Sequence, residues 1–320
     1  GGSIITSFEG EDEHHEAHFI AGEIYRQHQE KRRPYKDFAV LYRTNAQSRV
    51  LEETFIKNGI PYEIFGGIKF YERREIKDIL AYLRVLANPA DALSLARIIN
   101  VPKRGIGEVA WLRLLDYAQQ QGCTVFDAVV NAGEIPDLAK RSLNAIEKFG
   151  AMMTGFKEKV DKISLTELAE LILKETGYLE ELKKENTPEA QTRLENLQEF
   201  LSVTHDYDKY SEENTLDGFL AQISLVTDLD NYAEEDDRVV LMTLHTAKGL
   251  EFPVVFLTGM EEGVFPHNRS MLDDNELEEE RRLCYVGITR AQEELYLTRA
   301  WQRTLYGNTV YNPPSRFLAE

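Results

Sequence analysis

The apolar positions of the first seventy residues alternate between short runs and amphipathic stretches. Ile4 to Phe8 predicts a short strand and Glu16 to Glu30 an amphipathic helix. Phe38-Ala-Val-Leu-Tyr42 is an uninterrupted apolar run of the kind buried on both faces of a parallel sheet. A helix from about Ser48 to Lys57 is stopped by Asn58-Gly59, and Tyr62-Glu-Ile-Phe65 predicts a strand ending at Gly66-Gly67. From Glu72 to about Ser224 the period becomes helical. Ile76, Ile79, Leu80, Leu83 and Leu86 form one apolar stripe, and Leu165, Leu168, Leu171 and Ile172 another. Breakers at Asn88-Pro89, Gly105-Ile-Gly107, Gly122, Ile135-Pro136, Gly177 and Thr187-Pro188 separate the helices. After an acidic stretch at Glu234 to Asp237, strands return at Val239 to Thr243 and Val254 to Thr258. A helix from about Asn275 to Gln292 then leads into a strand at Glu294 to Thr298. α/β material thus brackets an all-α block without internal repeats, which predicts a helical domain inserted into a split parallel-sheet domain.

The length of 320 residues suggests two domains, and a 42% hydrophobic fraction supplies real cores. No apolar run approaches the roughly 18 residues of a membrane span. Gly1-Gly2-Ser3 has the look of an engineered remnant or an arbitrary cut, not a signal peptide. Cys123 and Cys284, far apart and without metal spacing, argue against a disulfide scaffold or zinc site and fit a reducing cytoplasm. The net charge of −18 argues against nucleic acid if taken alone, since phosphate neutralisation supplies most non-specific affinity. The acid is clustered, however, at Glu9 to Glu16, Glu234 to Asp237 and Asp273 to Glu280, while Lys31-Arg32-Arg33 and Lys103-Arg104 are basic.

Three segments carry chemistry. Tyr42-Arg-Thr-Asn-Ala-Gln-Ser-Arg49 lies where a buried strand meets a helix, the usual ligand position of an open α/β sheet. Arg43 and Asn45 can donate to phosphate oxygens there, beside the N–H groups of the helix start. The segment is equally well read as a capped, solvated strand–helix turn. Thr243-Leu-His-Thr-Ala-Lys-Gly-Leu-Glu-Phe252 packs a hydroxyl, an imidazole, an ammonium and a carboxylate into one turn that Gly249 makes sterically accessible. Glu251 suits ribose hydroxyls, while Thr243 and His245 suit a nucleic-acid backbone, although a single strand-end histidine is usually just solvated or capped. In Glu278-Glu-Glu-Arg-Arg-Leu-Cys-Tyr-Val-Gly-Ile-Thr-Arg-Ala291, Leu283, Val286 and Arg290 are spaced as neighbours on a helix face. Arg290 at its polar end can reach a phosphate on a neighbouring domain and stabilise charge during phosphoryl transfer. A surface helix with Glu–Arg pairs would account for Arg281 and Arg282 but not for the Val-Gly-Ile-Thr-Arg-Ala ending.

These segments, in this order, resemble motifs IVa, V and VI of the UvrD/PcrA/Rep helicases of superfamily 1. The resemblance extends through Gly66-Gly-Ile-Lys-Phe-Tyr71, Val101-Pro-Lys-Arg-Gly-Ile-Gly107, Glu261-Glu-Gly-Val-Phe-Pro-His267 and Asn312-Pro-Pro-Ser-Arg-Phe317, and so covers nearly the whole chain. It implies α/β plus all-α architecture: a RecA-like parallel-sheet domain (2A) at residues 1–67 and 230–320, split by an inserted helical domain (2B) at residues 68–229. It also implies the carboxy-terminal part of an ATP-dependent 3′–5′ DNA helicase acting in DNA repair or replication. By resemblance Arg290 matches the arginine finger, with Glu251 holding the ATP ribose. Arg43, Asn45, Thr243, His245 and His267 fall on positions that contact single-stranded DNA. Lys103, Arg104, Gly105, Ile106 and Gly107 match an element presented to duplex DNA, where a Gly-Ile-Gly turn offers backbone N–H groups to phosphates without reading bases. Thr176 and Tyr178 play a similar part, or else belong to a glycine helix cap followed by a packed tyrosine.

The chain contains no Gly-x-x-x-x-Gly-Lys-Ser/Thr phosphate loop. By the same resemblance the magnesium-binding Asp-Glu pair is also missing and belongs, with domains 1A and 1B, before Gly1. ATP and Mg2+ are therefore expected in the intact protein and neither bound to this chain alone, which holds no metal site of its own. The expected partners are single-stranded and duplex DNA, domains 1A and 1B, and repair, replication or transcription proteins, in the bacterial cytoplasm and not at a membrane. Two alternatives stand beside this reading: a protein-interaction module built on the helical block, and part of a RecB/AddA-type helicase–nuclease.

Overall fold

Residues that must bury both faces dictate the centre of the sheet, and the apolar run Phe38–Tyr42 is buried at all five positions. A computed structural model describes residues 4–231, 236–305 and 308–320. Gly1-Gly2-Ser3 and the Glu234-Glu235 part of the acidic stretch lie outside the described residues. In chain order the first segment forms β1 (Thr6–Gly10), α1 (Glu13–Lys31), β2 (Phe38–Tyr42), α2 (Ser48–Lys57) and β3 (Tyr62–Ile64). Nine helices follow among the described residues: α3 (Arg74–Ala87), α4 (Ala92–Ile98), α5 (Glu108–Gln121), α6 (Val125–Val130), α7 (Lys140–Lys157), α8 (Leu165–Glu175), α9 (Tyr178–Glu185), α10 (Pro188–Tyr210) and α11 (Leu216–Asn231). The last segment forms β4 (Val239–Thr243), β5 (Phe252–Leu257), α12 (Asp274–Ile288), β6 (Ala291–Ala300) and a small hairpin, β7 (Arg303–Leu305) with β8 (Asn308–Val310).

The main sheet has six parallel strands in the order β1-β6-β5-β2-β4-β3. Strands from the two ends of the chain interleave, so neither end alone can complete the ladder. Side chains alternate as the strand period requires. Phe38, Val40, Tyr42, Leu241, Val254 and Phe256 pack with Ile20 and Ile24 of α1 and Val50, Leu51 and Phe55 of α2. Ala39, Leu41, Met242, Val255 and Leu257 pack on the other face with Phe265, Cys284 of α12 and Phe317. Coverage on both faces explains the uninterrupted apolar runs.

The chain divides into two compact units, Gly1–Tyr71 with Val226–Glu320, and Glu72–Leu225. Residues following Gly67 stay with the sheet unit because they bond to it. Lys69 Nζ pairs with Asp230 at 2.7 Å, the Phe70 N–H donates to Glu52, and the Tyr71 hydroxyl donates to Glu53. A buried ion cluster fastens the same unit: Arg303 Nη2 lies 2.6 Å from Glu16 and 2.7 Å from Glu261. Burial pushes the Glu261 carboxyl up, but Arg303 outweighs it and holds the group below the ordinary carboxylate range.

Within the helical unit the first stripe is buried as the period requires. On α8 the buried set is Leu165, Leu168, Ala169, Ile172 and Leu173, so the stripe is centred one position away from Leu171. The reassigned ends elsewhere follow local chemistry. α1 begins at Glu13 because the Asp12 side chain accepts the His15 N–H. α12 stops at Ile288, not Gln292, since the residues from Ala291 join the parallel ladder as β6.

Candidate nucleotide and nucleic-acid sites

Parallel strands deliver their carboxyl ends to one edge, and in this sheet β2 and β4 are neighbours with Tyr42 opposite Thr243. Arg43 follows β2, Thr243 closes β4, and His245 follows it. His267 lies on the segment after β5, which pairs with β2 on its other side. The first motif is held by its own sequence: Thr44 and Gln47 form a capping box, and Gln47 Oε1 accepts the N–H groups of Arg43 at 3.0 Å and Thr44 at 2.9 Å. Asn45 is half-buried at the start of that turn. Thr243 and Thr246 hydroxyls meet at 2.9 Å, and Gly249 takes φ +87°, the left-handed backbone that a side chain resists.

Charge at this edge is organised around Glu280 of α12. The Arg43 guanidinium forks onto it, with Nε at 2.8 and 3.0 Å and Nη2 at 2.6 Å. The His267 N–H donates to the same carboxylate at 3.0 Å, while His267 Nδ1 accepts the Arg269 N–H. Packing around the His245 ring and the positive charge of Arg43 push its imidazole below the ordinary value, against the opposing pull of Glu280 and Glu279.

Glu251 and Arg290 directly precede β5 and β6 and so occupy the opposite, amino-terminal edge of the sheet. The Phe252 N–H donates to the Arg290 carbonyl at 2.9 Å. The exposed Glu251 carboxylate accepts from Gln292 at 3.3 Å. Arg290 lies beyond the end of α12 and not on the helix face expected from spacing, because Thr289 is the cap. Its guanidinium is folded onto neutral acceptors: the Val286 carbonyl at 3.0 Å, the Leu250 carbonyl at 2.8 Å and Thr289 Oγ1 at 3.0 Å.

In the helical unit, the loop before α5 differs from the expected phosphate-facing turn. Asn100 Oδ1 accepts the N–H groups of Arg104, Gly105 and Ile106 at 2.8, 3.1 and 3.3 Å, so two N–H groups assigned to phosphate are already bonded. Arg104 turns inward to the carbonyls of Ile98, Ile99 and Pro102, to the Tyr82 hydroxyl at 2.7 Å, and over the Phe149 ring. Lys103, Gly105 and Gly107 are exposed, while Ile106 is buried. Tyr178 is also buried, and its hydroxyl donates to Asp78 at 2.7 Å. Thr176 Oγ1 donates to the Ile172 carbonyl, and Gly177 at φ +77° joins α8 to α9. Thr176 caps α8 and Gly177 opens α9, and the Tyr178 phenol does not face solvent.

Among the described residues no three His, Cys, Asp or Glu side chains converge as metal ligands. No described helix is long and apolar enough to cross a membrane. Glu280 and Asn100 are the organising residues that sequence reasoning missed. Asn100 before Val-Pro is a recognisable side-chain turn signal. Glu280 carried none beyond its place in a Glu–Arg run, since its partner lies 237 residues away.

A family described as "UvrD-like helicase C-terminal domain" matches residues 1–302. The chain is 51% identical to the ATP-dependent DNA helicase PcrA of Bacillus subtilis (strain 168), with all of this chain and 44% of that protein aligned. It is 48% identical to the PcrA of Staphylococcus aureus (strain Mu50 / ATCC 700699), over all of the chain and 44% of the relative. The PcrA of Leuconostoc citreum is 46% identical, with all of the chain and 43% of the relative covered. The chain thus spans less than half the length of these curated relatives.

Proposed function

Because the chain belongs to the UvrD-like helicase C-terminal domain family, we propose that it works as the carboxy-terminal part of an ATP-dependent 3′–5′ DNA helicase. In this reading the sheet unit is the RecA-like domain 2A and the helical unit is the inserted domain 2B. A second RecA-like lobe supplies the phosphate loop and the magnesium ligands, and the protein acts in the bacterial cytoplasm. The observation that carries the reading is the division of the motif residues between the two edges of one parallel sheet. Arg43, Asn45, Thr243, His245 and His267 belong to the edge where open α/β sheets bind ligands, and there they meet single-stranded DNA. Glu251 and Arg290 share the other edge and meet the ATP ribose and phosphates.

The resting bonds of Arg290 support its role. Each of its acceptors is neutral, and a phosphate oxygen offers charge-assisted bonds about twice as strong. Swinging from carbonyls to a transferring phosphate therefore gains most when charge develops, which is the requirement for transition-state stabilisation. Duplex contact by 2B is narrower than the motif string suggests: Lys103 and the exposed Gly107 backbone remain as candidates, while Arg104 supports the loop from within and Tyr178 is packed with its hydroxyl on Asp78. A role for 2B in docking protein partners is supported by Val109 and Leu112, which are 75% and 50% exposed on α5.

The test uses both edges. Arg290→Ala in the ATP-hydrolysing protein should slow turnover by roughly 10³-fold with ATP binding much less affected. An equal loss of binding with unchanged turnover would make Arg290 a structural residue. For the other edge, Arg43→Ala and His267→Ala should each weaken binding of a fluorescent oligo(dT) to the 320-residue chain, read by anisotropy.

A further inference from the structure

Glu280 is 4% exposed, and among the described residues its hydrogen-bond donors come from outside its own helix. A buried carboxylate is tolerated only when donors replace its lost water, and here, among the described residues, the donors are Arg43 and His267 of the proposed DNA edge. The Nε and Nη2 atoms of Arg43 fill one side of the carboxylate, and the His267 N–H takes the remaining direction on Oε2. Arg49, the other arginine of the same motif, is turned elsewhere, toward Glu53.

The form of the Arg43 fork matters. A guanidinium presents five N–H donors in a rigid plane. Glu280 occupies the side formed by Nε and Nη2, and among the described residues nothing is bonded to Nη1. The end-on side, Nη1 with the second hydrogen of Nη2, is therefore aimed by the fork and left for another planar or tetrahedral oxyanion. The same carboxylate fixes the main chain at His267, so one residue sets the orientation of two elements that are far apart in sequence.

We infer that Glu280 is a positioning residue for single-stranded DNA: it holds the Arg43 end-on edge toward a phosphate of the strand and anchors the main chain that carries the His267 side chain, without touching the strand itself. This rests on the proposed DNA edge and adds to it a specific sign. The chain carries a net charge of −18, so removing a carboxylate should strengthen binding to a polyanion if charge alone operates. Positioning requires the opposite, because a guanidinium released from its fork must be reordered for every encounter with phosphate.

The experiment is oligo(dT) anisotropy against salt for the 320-residue chain and for Glu280→Gln, Glu280→Asp, Arg43→Ala and the Glu280→Gln/Arg43→Ala double variant, with circular dichroism as a check on folding. Glu280→Gln should weaken binding about fivefold, within the range of couplings measured between contacting residues. Its salt slope should fall by about 0.7, one single-strand phosphate contact. Glu280→Asp keeps the charge but withdraws the carboxylate by a methylene, and it too should weaken binding; it decides the matter if Glu280→Gln fails to fold. The double variant should lose less than the sum of the two single losses, since most of the Glu280 effect runs through Arg43 and only the share carried by His267 remains. The inference is overturned if Arg43→Ala weakens binding while the folded Glu280 variants bind as well as or better than wild type. It is also overturned if the two losses simply add. If Arg43→Ala and His267→Ala both bind like wild type, the DNA edge itself is misassigned, and this role goes with it.

Discussion

His245 shows how a residue's setting converts an ordinary group into a conditional one. Its imidazole is held below the usual value by packing and by Arg43, with Glu280 and Glu279 pulling the other way. A base with a depressed value favours its neutral form in the fold. Its contribution to stability is therefore present above the ordinary imidazole value of 6.5 and is lost as pH falls through it. A phosphate nearby favours the protonated form instead. Affinity for oligo(dT) should therefore rise as pH falls from about 7.5 toward about 5.5, the interval in which imidazoles titrate. Subtracting the profile of His245→Ala isolates this residue from the rest of the protein. A difference that is flat, or that falls with acidification, would remove His245 from the DNA edge. Thr243, by contrast, shapes the turn that carries the histidine: its hydroxyl meets that of Thr246, and its carbonyl accepts the Thr246 and Ala247 N–H groups.

At the scale of elements, the loop before α5 separates a residue that is exposed from one that is merely basic. Lys103 projects from it, whereas Arg104 donates to three carbonyls and a tyrosine hydroxyl. Lys103→Ala should lower the salt slope of duplex binding by about 0.9, one contact, equally for unrelated sequences. Arg104→Ala strips a donor from part-buried acceptors and should destabilise the helical unit by about 1–3 kcal/mol. The pair is distinguished by thermal melting and by duplex anisotropy against salt. If Arg104→Ala left the melt unchanged and lowered the slope as much as Lys103→Ala, the inward orientation of Arg104 would not describe the protein in solution. The spacing Val-Pro-Lys-Arg-Gly-Ile-Gly was legible as a turn. Which of its two cations faces water was not, because that depends on Tyr82 of α3 and Phe149 of α7.

For the whole molecule, the two units differ in how they depend on chain continuity. The helical unit is one uninterrupted segment whose helices pack mainly on sequence neighbours, as in α3 with α4, α5 with α6 and α8 with α9. The sheet unit needs strands from both chain ends. Residues 72–225 expressed alone should therefore fold and melt in a single cooperative transition by circular dichroism. A broad, non-cooperative melt would show that this segment depends on the sheet unit for its core. The net charge of −18 is a property of the whole chain, in which the Glu280 carboxylate that meets Arg43 at 2.6 Å counts only as repulsion toward a polyanion.

The sequence by itself determined the succession of α/β, all-α and α/β segments, the buried strands at residues 38–42 and 239–243, and the motif strings that identify the family. Those signals are local: a strand period, a helix period, a capping box and a glycine turn each operate within a few residues of backbone. Only the tertiary structure decided the interleaved strand order, the end of α12 before Arg290, the inward turn of Arg104 and Tyr178, and the fork between Arg43 and Glu280. Each of these depends on groups separated by tens to hundreds of residues, where one buried charge or one ladder position is settled by which partner the fold brings within hydrogen-bond reach.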